Sequence, residues 1–232
     1  MNKTVKVGVV IADEQEYVPV RELAKRAGGF AAELYGDELT IIQTEKNGKT
    51  IEIYFVLCGI GKVNAAGATA FLIAHGVTHV ISSGLSGGIS GIARNGVTIG
   101  SKYIEHDFDL TPLGLEPAQK PQKNYIYHAD EGLADIFKET CPGALTGVMV
   151  SGDCFVCEAE RKKMLEETFS AMSCDMESAA VASVCFKAGV PFVAVRRISD
   201  YASEGAVESY REMNDKAEPN LIEIVMEGIG RI

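Results

Sequence analysis

The chain has 232 residues, a length that predicts one domain over residues 1–232 with room for its own core. Hydrophobic residues make up 47% and charged residues 23%, a globular mixture that excludes wholesale disorder. The net charge of −10 argues against nucleic-acid binding, because an acidic surface repels phosphates and the sequence has no basic stripe.

The apolar segments do not predict a membrane span or a leader. The first apolar run is short and is followed by acidic residues rather than by a small-residue cleavage site. The six cysteines lack the spacing of a secreted scaffold, so we expect reduced thiols and a cytoplasmic protein. Cys154 and Cys157 form a lone C-x-x-C pair, which is weak evidence for zinc or redox chemistry. The four histidines lack metal-ligand spacing, and we predict neither a metal nor a cofactor.

The first half of the chain alternates apolar runs with helical patterns. A β-branched run predicts a buried strand over Val5–Ile11, and the next helix, over 17–26, should stop at Gly28. Two β-rich runs over 39–43 and 50–57 flank Asn47-Gly48, which predicts a hairpin. A helix follows over 62–75, and a strand over 77–83 should end in a glycine-rich loop over 84–88. The helix should pack closely through one face of small residues: Val63, Ala66, Gly67, Ala70 and Ala74.

The second half continues the same alternation. Residues 105–123 lack periodicity and predict a long loop. Strands are predicted over 146–151 and 191–195, and helices are predicted from Glu158, over 178–188 and at the C-terminus. Together the pattern predicts an α/β fold, a single domain with a mixed, largely parallel central sheet flanked by helices.

Polar or glycine-rich segments follow several predicted strands, and ligands bind at such strand ends in α/β sheets. These segments are residues 13–16, 59–63, 84–88, 152–155, 175–177 and 196–200. Each segment alone is weak, and a glycine cluster is equally typical of a tight turn.

Four segments together are far more specific. They are Ile60-Gly-Lys-Val-Asn-Ala-Ala, Ser83-Gly-Leu-Ser-Gly-Gly88, Ser173-Cys-Asp-Met-Glu-Ser-Ala-Ala180 and Val190-Pro-Phe-Val-Ala-Val-Arg-Arg-Ile-Ser-Asp200. In this order the chain resembles the nucleoside phosphorylase superfamily, and most of all the 5′-methylthioadenosine/S-adenosylhomocysteine nucleosidases. The resemblance implies a hydrolase that cleaves the N-glycosidic bond of a 5′-modified adenosine and releases adenine.

The resemblance also implies the catalytic roles. Asp200 would be the general acid that protonates N7 of the leaving purine, which requires burial to raise the pKa of its carboxyl. Ser199 would orient that carboxyl, Glu16 would activate the attacking water, and Arg196 would help to hold it. The alternative for Asp200 is a solvated aspartate that caps the next helix.

The substrate contacts follow in the same way. Glu177 would accept hydrogen bonds from the ribose hydroxyls, although a glutamate there is also typical of a helix N-terminus. Phe155 would stack on the purine or, alternatively, belong to the core. Met176 would pack against the ribose, Val156 would offer its backbone to the base, and Ile60 and the glycines at 84, 87 and 88 would border the ligand.

Two residues depart from the nucleosidase pattern. Asp13 stands where an apolar Met is typical, and Leu85 stands where Ser is typical. Asp13 would either change which 5′ substituents are tolerated or pair with a cationic group. Acidic residues at 13, 14 and 16 should repel phosphate, which favours water as the nucleophile. The alternatives are a phosphorylase, a hydrolase of a futalosine-type nucleoside, and an inactive nucleoside-binding protein. The segment 106–114 resembles the family's dimer loop and predicts a homodimer.

Overall fold

The computed structural model describes residues 4–46, 48–214 and 220–232, and it contains one mixed sheet of ten strands with helices around it. The strands are β1 (Val5–Ile11), β2 (Phe30–Leu34), β3 (Asp37–Lys46), β4 (Lys49–Leu57), β5 (His79–Gly88), β6 (Val97–Glu105), β7 (Ile126–His128), β8 (Leu145–Ser151), β9 (Ala171–Asp175) and β10 (Phe192–Asp200). The helices are α1 (Glu14–Ala27), α2 (Lys62–Ala74), α3 (Glu131–Thr140), α4 (Ala159–Phe169), α5 (Ser178–Ala188), α6 (Ala206–Asn214) and α7 (Asn220–Ile229). The α/β fold with a mixed central sheet is confirmed.

Parallel strands form the centre of the sheet. β1 lies between β4 and β5 and is parallel to both, and its apolar run is buried from Val7 onward. β10 continues the parallel set on the other side of β5. Antiparallel β2 and β3 complete the outer edge beyond β4. Strands covered on both faces need a continuous apolar sequence, which is why β1 was predicted with its true bounds.

Five strands close into a ring. β5 pairs with β10 from Val80 to Gly87, and at Gly87 and Gly88 it also pairs with β9. β6 and β8 connect β10 to β9 and complete the circle. The glycines at this end of β5 allow the strand to bend between two partners. The predicted loop over 84–88 is therefore wrong, because these residues extend β5 to Gly88.

The helix α2 also differs from its prediction in one respect. Its bounds are close to those predicted, but the buried side chains are Ala65, Ala68, Thr69 and Leu72. Of the predicted packing face, Ala66 is half-buried and Val63, Gly67, Ala70 and Ala74 are exposed. The predicted face does not form the packing surface of this helix within the described residues.

The hairpin between β3 and β4 is present, with Lys46 opposite Lys49, although Asn47 of its turn lies outside the described residues. The loop after β6 contains only a single 3₁₀ turn over Thr111–Leu113, as its lack of periodicity predicted. No helix of the described ranges is long and apolar enough to cross a membrane.

Candidate active site

One cavity of about 290 Å³ lies where β1, β9 and β10 end beside α1 and α6. This volume is near the lower limit of about 300 Å³ for sites that bind small molecules. Twelve of the residues that the sequence analysis assigned to the site line this cavity: Asp13, Glu16, Ile60, Leu85, Gly87, Phe155, Val156, Met176, Glu177, Arg196, Ser199 and Asp200. The structure thus brings the predicted residues together, while their chemical roles remain predictions.

Arg196 is the buried cation of the cavity, with 2% of its surface exposed. Its Nε lies 3.1 Å from Asp175 Oδ2, and its Nη2 lies 3.4 Å from Glu177 Oε2. The guanidinium also donates to the hydroxyl of Ser82 at 2.9 Å. Burial alone would lower the pKa of Arg196, but the neighbouring carboxylates raise it. The guanidinium therefore stays charged and fixed in orientation.

Asp175 holds this arrangement from behind. Its carboxylate accepts hydrogen bonds from the Ser151 hydroxyl at 2.5 Å and from the backbone N–H of Ser178 at 3.1 Å. It accepts a further short hydrogen bond from the Ser178 hydroxyl. Since a buried carboxylate needs such donors, Asp175 is a fully satisfied partner for Arg196.

Glu177 connects Arg196 to the loop before α2. It is 5% exposed, and its Oε1 accepts a hydrogen bond from the backbone N–H of Gly61 at 3.0 Å. Burial raises the pKa of Glu177, and the positive charge of Arg196 opposes that rise. Glu177 precedes α5, but its side chain does not cap the helix. The contacts of the Glu177 side chain are with Gly61 and Arg196 rather than with the N-terminus of α5.

Glu16 lies in the first turn of α1 and faces the end of β5. Its Oε1 accepts a hydrogen bond from the backbone N–H of Leu85 at 2.6 Å. Burial raises the pKa of Glu16 to about 8, although Arg196 and the Leu85 N–H both act to lower it. A carboxyl with a pKa near neutrality is suited to exchanging protons during catalysis.

Asp200 ends β10 and is 2% exposed. The Ser199 hydroxyl donates to its Oδ2 at 2.7 Å, and the backbone N–H of Ala202 donates to its Oδ1 at 2.8 Å. Burial raises the pKa of Asp200 despite these donors, in the direction that a general acid requires. A solvated helix cap, the alternative for this residue, is excluded by its burial.

The lining of the cavity also includes Phe155 and Val156. Phe155 is 42% exposed, so it is not a core residue, and its ring makes an edge contact with Tyr210 at 5.5 Å between centroids. Val156 is buried. An exposed aromatic ring in the wall of the cavity that also contains Asp200 is an appropriate surface for a planar heterocycle.

Asp13 caps α1, since its carboxylate accepts a hydrogen bond from the Gln15 N–H at 2.8 Å. The same carboxylate accepts from Asn214 Nδ2 at 3.0 Å and from the Tyr210 hydroxyl at 3.4 Å. All three donors are neutral. The predicted pairing of Asp13 with a cationic group therefore has no counterpart within residues 4–46, 48–214 and 220–232.

The glycines at 84, 87 and 88 were all predicted to border the ligand, and this prediction is wrong for two of them. Gly87 lines the cavity, whereas Gly84 and Gly88 do not. A Cβ atom on Gly84 would lie 2.6 Å from both Arg196 Nη1 and Glu16 Oε2. The missing side chain at Gly84 thus leaves room for two protein side chains rather than for a ligand.

Two residues that line the cavity were given no role by the sequence analysis. Asp175 belongs to the polar segment 175–177 that was singled out at a strand end, but its contact with Arg196 was not predicted. Tyr210 lies on α6, a helix that was not predicted. Within the described ranges, no group of three or more His, Cys, Asp or Glu side chains could hold a metal ion, and all six cysteines are free thiols.

A sequence model of the phosphorylase superfamily matches residues 6–229. The chain belongs to the phosphorylase superfamily. Among superfamily members, a 5′-methylthioadenosine/S-adenosylhomocysteine nucleosidase of Halalkalibacterium halodurans is 36% identical over 84% of this chain and 89% of the relative. The enzyme of the same name from Shewanella loihica is 34% identical over 85% of this chain and 87% of the relative.

Solved structures of the superfamily agree with this assignment. A Helicobacter pylori 5′-methylthioadenosine/S-adenosylhomocysteine nucleosidase with butyl-thio-DADMe-Immucillin-A has a TM-score of 0.90, with 28% identity over 99% of both chains. A mutant futalosine hydrolase of H. pylori also has a TM-score of 0.90, with 28% identity over 98% of this chain and 100% of that chain.

Gly84→Ala tests whether the site depends on the close approach to β5. The added methyl group would displace the side chains of Glu16 and Arg196. A displacement of about 1 Å in such groups can cost about a hundredfold in rate, so we expect kcat/KM for nucleoside cleavage to fall by about that factor. Gly143→Ala is the matched control, because nothing lies within 4 Å of a Cβ there. Full activity of Gly84→Ala would show that Glu16 and Arg196 need not occupy these positions.

Proposed function

We propose that this chain is a purine nucleoside N-ribohydrolase that acts on 5′-methylthioadenosine or S-adenosylhomocysteine and releases adenine and the 5′-modified ribose. The observation that supports this most strongly is that the side chains of Glu16, Glu177, Arg196 and Asp200 line one cavity. The nucleosidase relatives over most of the chain point to the same reaction.

Asp200 would act on the base. As the N-glycosidic bond breaks, its electron pair moves to the purine, and the proton of Asp200 passes to N7. The base then leaves as neutral adenine rather than as an anion. Burial keeps this carboxyl protonated at higher pH than a solvated aspartate, and Phe155 would stack on the ring.

Glu177, Glu16 and Arg196 would act on the sugar and the water. Glu177 would accept hydrogen bonds from the ribose hydroxyls, with Met176 packed against the ring, and its negative charge would stabilise the cationic transition state. Glu16 would take a proton from the attacking water as the water oxygen bonds to C1′. Arg196 would hold that water and favour the ionised form of Glu16, whose pKa is about 8.

The charge of the cavity favours water over phosphate as the nucleophile. Its lining contains the carboxyl groups of Asp13, Glu16, Asp175, Glu177 and Asp200, and Arg196 is the single Lys or Arg among the described residues that line it. That guanidinium is already paired with Asp175 and Glu177. A phosphate dianion needs several cationic or donor groups, so it would be repelled here.

The function is tested by following adenine release from 5′-methylthioadenosine in phosphate-free buffer and with added phosphate. We expect equal rates and free 5-methylthioribose as the second product. A rate that depends on phosphate, with a sugar 1-phosphate as product, would identify a phosphorylase. Binding without turnover would identify an inactive binding protein. Futalosine, offered as a second substrate, tests the activity in the name of the H. pylori futalosine hydrolase.

We also propose that residues 1–232 form one domain and that the enzyme is a cytoplasmic homodimer of methionine salvage. The free cysteines support a reducing compartment. The dimer is supported by a partly exposed apolar surface, which we define as Tyr35, Val63, Gly67 and Phe71. Tyr35 is 85% and Val63 is 82% exposed, and they border a groove with Phe71. Small residues on α2 allow a second copy to approach closely.

Val63→Asp tests this dimer. A charge at the centre of an apolar interface should convert the dimer to monomer in light scattering, because burying an unpaired carboxylate is costly. Met164→Asp, at another exposed apolar helix position, should leave the mass unchanged. A wild-type chain that is monomeric at micromolar concentration would refute the proposal.

A further inference from the structure

The carboxylate of Asp13 lines the cavity, and it has no cationic partner among residues 4–46, 48–214 and 220–232. It is half-buried, and its hydrogen bonds come from the Gln15 N–H, the Asn214 amide and the Tyr210 hydroxyl, which are all neutral. Asp13 therefore brings a negative charge to the cavity wall that no ion pair with another described residue cancels.

The rest of the cavity does not neutralise this charge. Arg196 is engaged by Asp175 and Glu177, and Glu16 also lies beside it. The negative charge of Asp13 acts on Glu16, since it contributes to the raised pKa of that carboxyl. A ligand group near Asp13 would thus meet a negative potential in a site that is partly shielded from water.

The position of Asp13 indicates which part of a nucleoside it meets. It stands three residues before Glu16 at the start of α1, and Glu16 acts at C1′ of the sugar in the proposed function. In the proposed function, Asp200 and Phe155 face the base, and Glu177 holds the ribose hydroxyls. The 5′ substituent is the remaining group of the sugar, and it would lie beside Asp13 and Tyr210.

We propose that Asp13 makes this enzyme select its substrates by the charge of the 5′ substituent. Nucleosides with an anionic 5′ group are rejected, neutral thioethers are accepted, and a cationic 5′ group is favoured. Like charges brought together in a shielded site repel strongly, and such repulsion is a common source of specificity. This inference rests on the proposed function, because that function places the sugar beside α1.

Asp13→Asn isolates the charge. Asparagine has nearly the same shape, is an equally good N-cap, and still accepts a hydrogen bond from the Gln15 N–H. The substrates are three 5′-thioethers of adenosine that end in ethyl, carboxyethyl and aminoethyl groups. We expect Asp13→Asn to raise kcat/KM for the carboxyethyl compound about tenfold relative to the ethyl compound, or about 1.4 kcal/mol. The aminoethyl compound should lose a similar factor.

Asp130→Asn is the matched control. Asp130 caps α3 by accepting a hydrogen bond from the Leu133 N–H, but it lies at the opposite end of β10 from Asp200. The substitution removes one negative charge outside the cavity, so the values of kcat/KM for the three substrates should keep their wild-type ranking. If Asp130→Asn changed the ranking as much as Asp13→Asn, the effect would be one of net charge, and the proposal would be overturned.

The result that overturns the proposal directly is an unchanged ranking in Asp13→Asn. An equal loss for all three compounds would also overturn it, because Asp13 would then only position α1 and α6. Dissociation constants measured in an Asp200→Asn background should show the same charge preference without turnover. Failure of the proposed hydrolysis would appear separately, as absence of adenine release from every compound by the wild-type chain.

Discussion

Asp200→Asn is expected to lower kcat about a thousandfold while the dissociation constant for 5′-methylthioadenosine stays nearly unchanged. The amide has the shape of the buried carboxyl and can still accept from the Ala202 N–H. It cannot give a proton to N7, so the purine would have to leave as an anion, and general acids typically contribute about 10² to 10⁴ in rate. Adenine release gives kcat, and calorimetry gives the dissociation constant.

Asp135→Asn is the control for this variant, since its carboxylate lies on α3 with 68% of the side chain exposed. Its kinetics should match the wild type. A near-normal kcat in Asp200→Asn would exclude this residue as the general acid. A large loss of affinity with unchanged kcat would make it a binding group instead.

Glu16→Gln is expected to lower kcat about a hundredfold and to change affinity much less. The glutamine keeps an oxygen for the Leu85 N–H but cannot take a proton from water. The wild-type enzyme should also show the titration of this group in kcat/KM. A base works in its deprotonated form, so kcat/KM should rise with pH through a midpoint near 8, and Glu16→Gln should lack that rise.

Glu14→Gln provides a close control. Glu14 lies two residues earlier in the same helical turn, where its carboxylate is 60% exposed and pairs with Arg21. The variant should keep both the wild-type kcat and the rise in kcat/KM. A Glu16→Gln enzyme that lost affinity but kept kcat would reassign Glu16 to substrate binding. A rise near pH 8 that persisted in Glu16→Gln would belong to another group.

The central strands could be predicted because their sequences reflect burial. The apolar run of Val5–Ile11 predicted β1 with its observed bounds. β2 was missed because Phe30–Leu34 is an exposed edge strand without a period-two pattern. β9 was missed because Ala171–Asp175 contains no β-branched or aromatic residue, so only its burial reveals it.

Other elements had signals that were available. α3 has the N-cap Asp130 and buries Leu133 and Phe137 four positions apart, a typical start and face of a helix. The extension of β5 to Gly88 had no signal in the local sequence, because it depends on pairing with β9 and β10, which are far away in the chain. Such pairings are tertiary and override the local preference of glycine for turns.

The site was predicted mainly through motif resemblance, and in part through strand geometry. Neighbouring side chains alternate along a strand, which predicts that Arg196 and Arg197 face opposite sides of β10. Arg197 donates to Asn95 and does not line the cavity. The pairing of Arg196 with Asp175 could not be read from local sequence, because β9 and β10 are not adjacent in the sheet order. The ligand-space role of Gly84 was wrong for the same reason, since its neighbours come from α1 and β10.

In the proposed mechanism, three carboxyl groups surround one nucleoside. A crystal structure of Asp200→Asn soaked with 5′-methylthioadenosine tests it most directly. We expect the purine N7 beside residue 200, the ribose hydroxyls on Glu177, and a water between Glu16 and C1′. A nucleoside bound outside this cavity, or bound with its base away from residue 200, would contradict the proposed mechanism.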